Sequence, residues 1–233
     1  MRKKFFFPPL ILFCLFPGLV QSKPVLLSVP FTSQAPEGNW IEPWDNACEE
    51  TSILMVEMYY QGNSNVNVEE SKKQIQNILK KKESLYGKSK DESPEKIIQM
   101  IETLYKRKAS LQKDITTEKI KNQIDLGQPV IIAFDTRLIK NPNFIAPQPT
   151  YHVAVIVGYD DETKEFLVND PGSSDGEQFR YGYEELLAAN KNYTVRDTGE
   201  VGGNEAIFTS SNFAHATKGF WAKLFEFLKK FFM

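Results

Sequence analysis

"YHVAVIVGYDDETKEFLVND", residues 151–170, decides how this chain folds. Two apolar runs, HVAVIVGY and EFLVN, flank the polar stretch DETK, and β-branched and aromatic residues dominate both. The pattern predicts a hairpin of two antiparallel strands. Just upstream, PVIIAF (129–134) is continuously apolar, as for a strand buried on both faces. Before it the period is helical. NACEETSILMVEMYYQG (46–62), VEESKKQIQNILKKK (68–82), SPEKIIQMIETLYKRK (93–108) and TTEKIKNQIDLG (116–127) each read as a helix. Helices come first and strands second, which predicts one α+β domain with a helical layer packed on an antiparallel sheet.

Local signals fix the helix ends. Asn46 is expected to cap the first helix, with Glu49 closing a capping box. Apolar residues surround the later turns of that helix, so it is expected to be buried and central. In the second helix Val68, Ile75, Ile78 and Leu79 share one face, and the intervening lysines are read as solvated. Ser93 and Pro94 open the third, and Gly127 stops the fourth.

The ends of the chain read differently. Residues 1–22 have a basic start (Arg2, Lys3, Lys4), an apolar stretch, and small residues Val20 and Ser22 at a cleavage position. This is the pattern of a secretory signal peptide, with a mature start near Lys23, in preference to an uncleaved anchor. Removing it leaves 25 Lys and Arg against 30 acidic residues. An acidic mature chain argues against a nucleic-acid partner. The domain proper is expected over 23–200, and residues 201–233 are read as a connector and an amphipathic helix. In KGFWAKLFEFLKKFFM (218–233) Trp221, Leu224, Phe225 and Leu228 fall opposite Lys218, Lys223 and Lys229. That helix either docks on the protein's own core or lies in a membrane interface as a peripheral contact.

Chemistry centres on one cysteine. The chain has only Cys14 and Cys48, and Cys14 belongs to the expected signal peptide. Cys48 is then a single thiol without a disulfide partner in an exported protein. Only His152 and His215 could join it at a metal, too few soft ligands for zinc, and no cofactor is implied. At the start of a helix, free N–H groups and the dipole favour a thiolate, so Cys48 is expected to titrate below an ordinary thiol. His152, at the head of a strand, is the candidate base, and Asn169 or Asp170, at the end of the next strand, is the candidate partner that orients it.

VPFTSQAPEGNWIEPWDNACEETSILMVEMYY, GQPVIIAF and HVAVIVGYDDETKEFLVNDP together resemble bacterial cysteine peptidases related to bacteriocin-processing (double-glycine leader) peptidases, in the papain-like superfamily. The resemblance implies a papain-like fold and hydrolysis of peptide or protein substrates. It also implies Cys48 as nucleophile, His152 as base, Asp170 as its partner and Gln34 as oxyanion donor. Asn169 stays an alternative third member. One departure is that Glu49 and Glu50 stand where the commoner motif has Gly-Pro. A charge close to the thiolate raises its pKa, so a low value requires both carboxylates to face solvent. An acyl transferase with the same triad and a non-catalytic binding module are the rival functions.

Overall fold

The computed structural model describes residues 23–64, 67–144 and 147–211. The expected signal peptide and C-terminal amphipathic helix lie outside the described residues. Within them the chain runs β1 (Val25–Leu26), α1 (Cys48–Gln61), α2 (Val68–Tyr86), α3 (Pro94–Tyr105), β2 (Ala109–Lys113), α4 (Thr117–Asp125) and β3 (Val130–Phe134). It continues with β4 (His152–Asp160), β5 (Glu165–Asn169), β6 (Phe179–Gly182), α5 (Tyr183–Asn190) and β7 (Glu205–Thr209). The strands form one antiparallel sheet in the order β2-β7-β3-β4-β5-β6, and β1 pairs with the far end of β4.

The expected hairpin is β4 and β5, with Val155 opposite Asn169 and Asp160 opposite Glu165. Every residue of β3 and of β4 is buried. Alternation along these strands explains how. Ile131, Val153, Val155 and Val157 join a cluster with α1, α2 and α3 on one face. Val130, Ile132, Ala154 and Ile156 join a second cluster with α4 and α5 on the other. The sheet is therefore covered on both sides, where the sequence predicted one helical layer. The period of α4 showed a helix but could not show which face it would choose.

Helix α1 is the buried central helix expected, and its first ten residues are all buried. Its start differs from expectation. Trp44–Asn46 forms a short 3-10 turn, Ala47 takes the cap position without a side-chain bond, and Cys48 is the first helical residue. The capping box does not form, because Glu49 is drawn inward and the Asn46 side chain accepts from Arg196 at 3.1 Å. Gly62 ends the helix in the left-handed conformation, donating to Met58 and Tyr59 carbonyls.

Two further expectations are corrected. Val68, placed on the apolar face of α2, is 49% exposed, whereas Lys82, read as solvated, is only 4% exposed. The stretch from 201, read as connector, contains β7, which pairs with β2 on one side and β3 on the other. The folded domain thus reaches at least Thr209. EAIFT is too short and too mixed for period alone to mark it as a strand.

Candidate active site

Two anchors bring α1 to the sheet where β4 begins. One helical turn after Cys48, the Ser52 hydroxyl donates to the Val153 carbonyl at 3.2 Å. That contact joins the first turn of α1 to the residue following His152. The loop before α1 is pinned likewise, since the Gln34 N–H donates to the Pro171 carbonyl at 2.9 Å. Gln34 Nε2 donates to the Trp44 carbonyl at 2.8 Å, while its Oε1 is buried without a hydrogen-bond partner. One N–H of that amide remains for another acceptor.

Cys48, His152 and Gln34 line one cavity of about 380 Å³. Trp40, Phe144 and Tyr151 supply apolar wall, and Asp45, Asp91, Asp175 and Arg196 supply charge. His152 Nε2 lies 2.7 Å from Asp170 Oδ1. The ring is packed edge-on against Phe134 and Phe144, at centroid separations of 5.3 and 5.5 Å. Its Nδ1 has no hydrogen-bond partner among the described residues, so that nitrogen is free to face the reacting group.

Of the two candidates for the third position, the structure puts Asp170 against His152 and turns Asn169 away. Asn169 pairs with Val155, on the side of α1, and its amide donates to the Val29 carbonyl and accepts from the Gln178 N–H, both at 3.0 Å. Strand alternation sends its neighbour the other way. Asp170 is fully buried, which by itself raises its pKa. The charge and hydrogen bond of His152, the Tyr181 hydroxyl at 2.5 Å and the Gly172 N–H at 2.9 Å outweigh burial and hold it below the usual carboxylate value. Tyr181 in turn accepts from the Asn141 amide at 2.6 Å. The sequence reading missed Tyr181 and Asn141. Nothing local marks a tyrosine in β6 as the partner of a residue at the end of β5.

The thiol departs from expectation. Cys48 Sγ donates to Glu49 Oε2 at 3.1 Å, and no Cys48–His152 hydrogen bond exists among the described residues. Glu49 and Glu50 are fully buried, not turned to solvent. Burial pushes the Cys48 thiol well above its ordinary value, and Glu49 and Asp91 push it further. A helix end worth about 1 kcal/mol does not offset a desolvated site holding several carboxylates. Glu49 is itself pushed up to about 8, chiefly by burial, against the pull of Lys82. Lys82 reaches Glu50 at 2.7 Å, which is why it is buried. Although burial disfavours its charge, Glu49 and Glu50 hold the ammonium above its ordinary value.

The model of the Peptidase C39 like family matches residues 26–199. The chain belongs to this family. Family membership points to cysteine peptidase chemistry on peptide or protein substrates. The fold agrees with it. The crystal structure of a proposed C39-like peptidase from Bacillus anthracis superposes with a TM-score of 0.52 at 18% identity, covering 82% of this chain and 99% of that one. No curated protein sequence matches the chain.

Proposed function

We propose that this C39-like protein is an exported thiol hydrolase that cleaves peptide or amide bonds with Cys48, His152 and Asp170. The observation carrying the reading is the buried His152–Asp170 pair, 2.7 Å apart, whose His152 lines the same cavity as Cys48, the first residue of α1. Asp170 fixes the imidazole through Nε2, so Nδ1 is the nitrogen that takes the thiol proton. The Cys48 thiolate attacks the carbonyl carbon. The oxyanion is met by the Cys48 N–H, which at the first position of α1 has no intrahelical partner, and by the second N–H of Gln34. Each such donor is worth roughly 3 kcal/mol in the transition state. His152 then protonates the leaving amine, and water releases the acyl group from sulfur.

The test is peptide hydrolysis by the wild type and Cys48→Ala, with labelling by a thiol-directed peptide electrophile, each with and without amine acceptors. Hydrolysis lost in the variant and labelling confined to Cys48 are expected. Labelling with product formed only when amines are supplied would make the protein an acyl transferase. Neither labelling nor turnover would leave a binding module.

A further inference from the structure

The proposed reaction has no use for a carboxylate on the nucleophile, yet one is there. Glu49 is fully buried, with Oε2 accepting from Cys48 Sγ at 3.1 Å and Oε1 accepting from the Glu92 N–H at 2.9 Å. The second bond holds the carboxylate in place from the segment that precedes α3. We propose that Glu49 sets the resting state of the nucleophile: its carboxyl group holds the Cys48 thiol in an Sγ–H···Oε2 hydrogen bond, and the thiol must leave Glu49 for His152 before it can attack. This rests on Cys48 being the nucleophile.

The step balances within the site. The Sγ–H···Oε2 hydrogen bond is given up, and the S–H bond breaks. The proton bonds to His152 Nδ1, and the electron pair stays on sulfur. Asp170 at 2.7 Å then faces an imidazolium. Other charges meet this pair from each side. Glu50 comes from α1 itself, Lys82 from α2 and Asp91 from the segment before α3, while Glu92 beside it acts on Glu50 and the neutral Tyr151 hydroxyl faces the pair from the β4 side. Arg196 is already engaged by Asp91 at 3.5 Å. Lys82 sits 2.7 Å from Glu50, so Glu49 is the acidic group in direct contact with sulfur. Once ionised, above about 8, it opposes the thiolate more directly than the other groups.

The test is the pH dependence of Cys48 alkylation by iodoacetamide in the full chain, for wild type, Glu49→Gln and Glu50→Gln. Glutamine keeps the shape of Glu49 and removes its charge. Glu49 is ionised above about 8, the range in which the Cys48 thiol titrates, so the inflection in Glu49→Gln should fall by about one unit or more, raising the rate about tenfold at pH 9. In Glu50→Gln, which removes a charge without touching sulfur, the rate should change less than about threefold. Glu49→Ala removes both charge and acceptor and should shift the same way, which covers loss of folding in the glutamine variant. An unmoved inflection in both Glu49 variants, or an equal shift in Glu50→Gln, overturns the proposal. Alkylation needs no turnover, so this outcome is separate from the hydrolysis test. Full hydrolysis by Cys48→Ala would remove the nucleophile reading itself.

Discussion

Gly172 offers a sharp test of the His152 geometry. A Cβ built there would sit 2.8 Å from His152 Cε1, 2.9 Å from Nε2 and 3.1 Å from Asp170 Oδ1. Ordinary carbon contacts lie at about 3.5 Å or beyond, so the imidazole must retreat by roughly 0.7 Å. It has little room, because Phe134 and Phe144 flank the ring and Asp170 holds Nε2. Gly172 is not in the left-handed conformation, so alanine meets a steric obstacle and not a backbone one. A misplacement approaching 1 Å costs up to about a hundredfold in rate. Gly172→Ala should therefore lower kcat/KM for a peptide substrate by roughly 30- to 100-fold. Overpacking should also destabilise the fold by about 1–3 kcal/mol. Cys48 alkylation at a pH that fully ionises the thiol should stay at the wild-type rate, since it requires no imidazole. Turnover within twofold of wild type, at comparable stability, would refute the placement of His152 as the base.

Other outcomes follow from the same contacts. Asp170→Ala should abolish turnover, whereas Asn169→Ala should act mainly on stability, by breaking the link between Val29 and Gln178; kinetics paired with denaturant melts distinguish them. Tyr181→Phe removes a hydrogen bond that lowers the Asp170 pKa, so the acid limb of the rate profile should move to higher pH, with about 1–3 kcal/mol lost in stability. Glu49 takes up a proton at about 8 in the folded protein, against an ordinary value of 4.5. The folded state therefore binds the extra proton, and this contribution to stability, full below 4.5, is lost as pH rises through about 8. Melting temperature should fall over that range, and Glu49→Gln should flatten the fall. Export predicts that mature protein begins near Lys23, which N-terminal sequencing of secreted material would show.

Much of this was legible in the sequence because it was local. The β4–β5 hairpin, the burial of PVIIAF and the four helices follow from periods spanning a few residues. The same alternation that predicts the hairpin also requires Asn169 and Asp170 to face opposite ways, although only the register with Val155 shows which one meets His152. What stayed hidden depends on distant partners. Lys82 looked like one more solvated lysine of α2, because its burial is set by Glu50, 32 positions earlier. Glu49 looked like a capping residue, but its oxygens go to Cys48 and to the backbone of Glu92. Tyr181 carried no signal at all.

The position of β7 has a consequence for how the protein is made. Among the described residues the only sheet partner of β2 is β7, and β7 also borders β3 in the middle of the sheet. Ala109 and Glu205 lie 96 positions apart, about two-fifths of the chain, so the sheet cannot close until Glu205–Thr209 has been delivered. Non-local pairing of this kind slows folding. Until then β3 presents a bare, wholly apolar edge beside an orphaned β2, the sort of surface on which incomplete chains aggregate. A chain trimmed at residue 199, where the family match ends, would keep Cys48, His152 and Asp170 yet leave that seam permanently open.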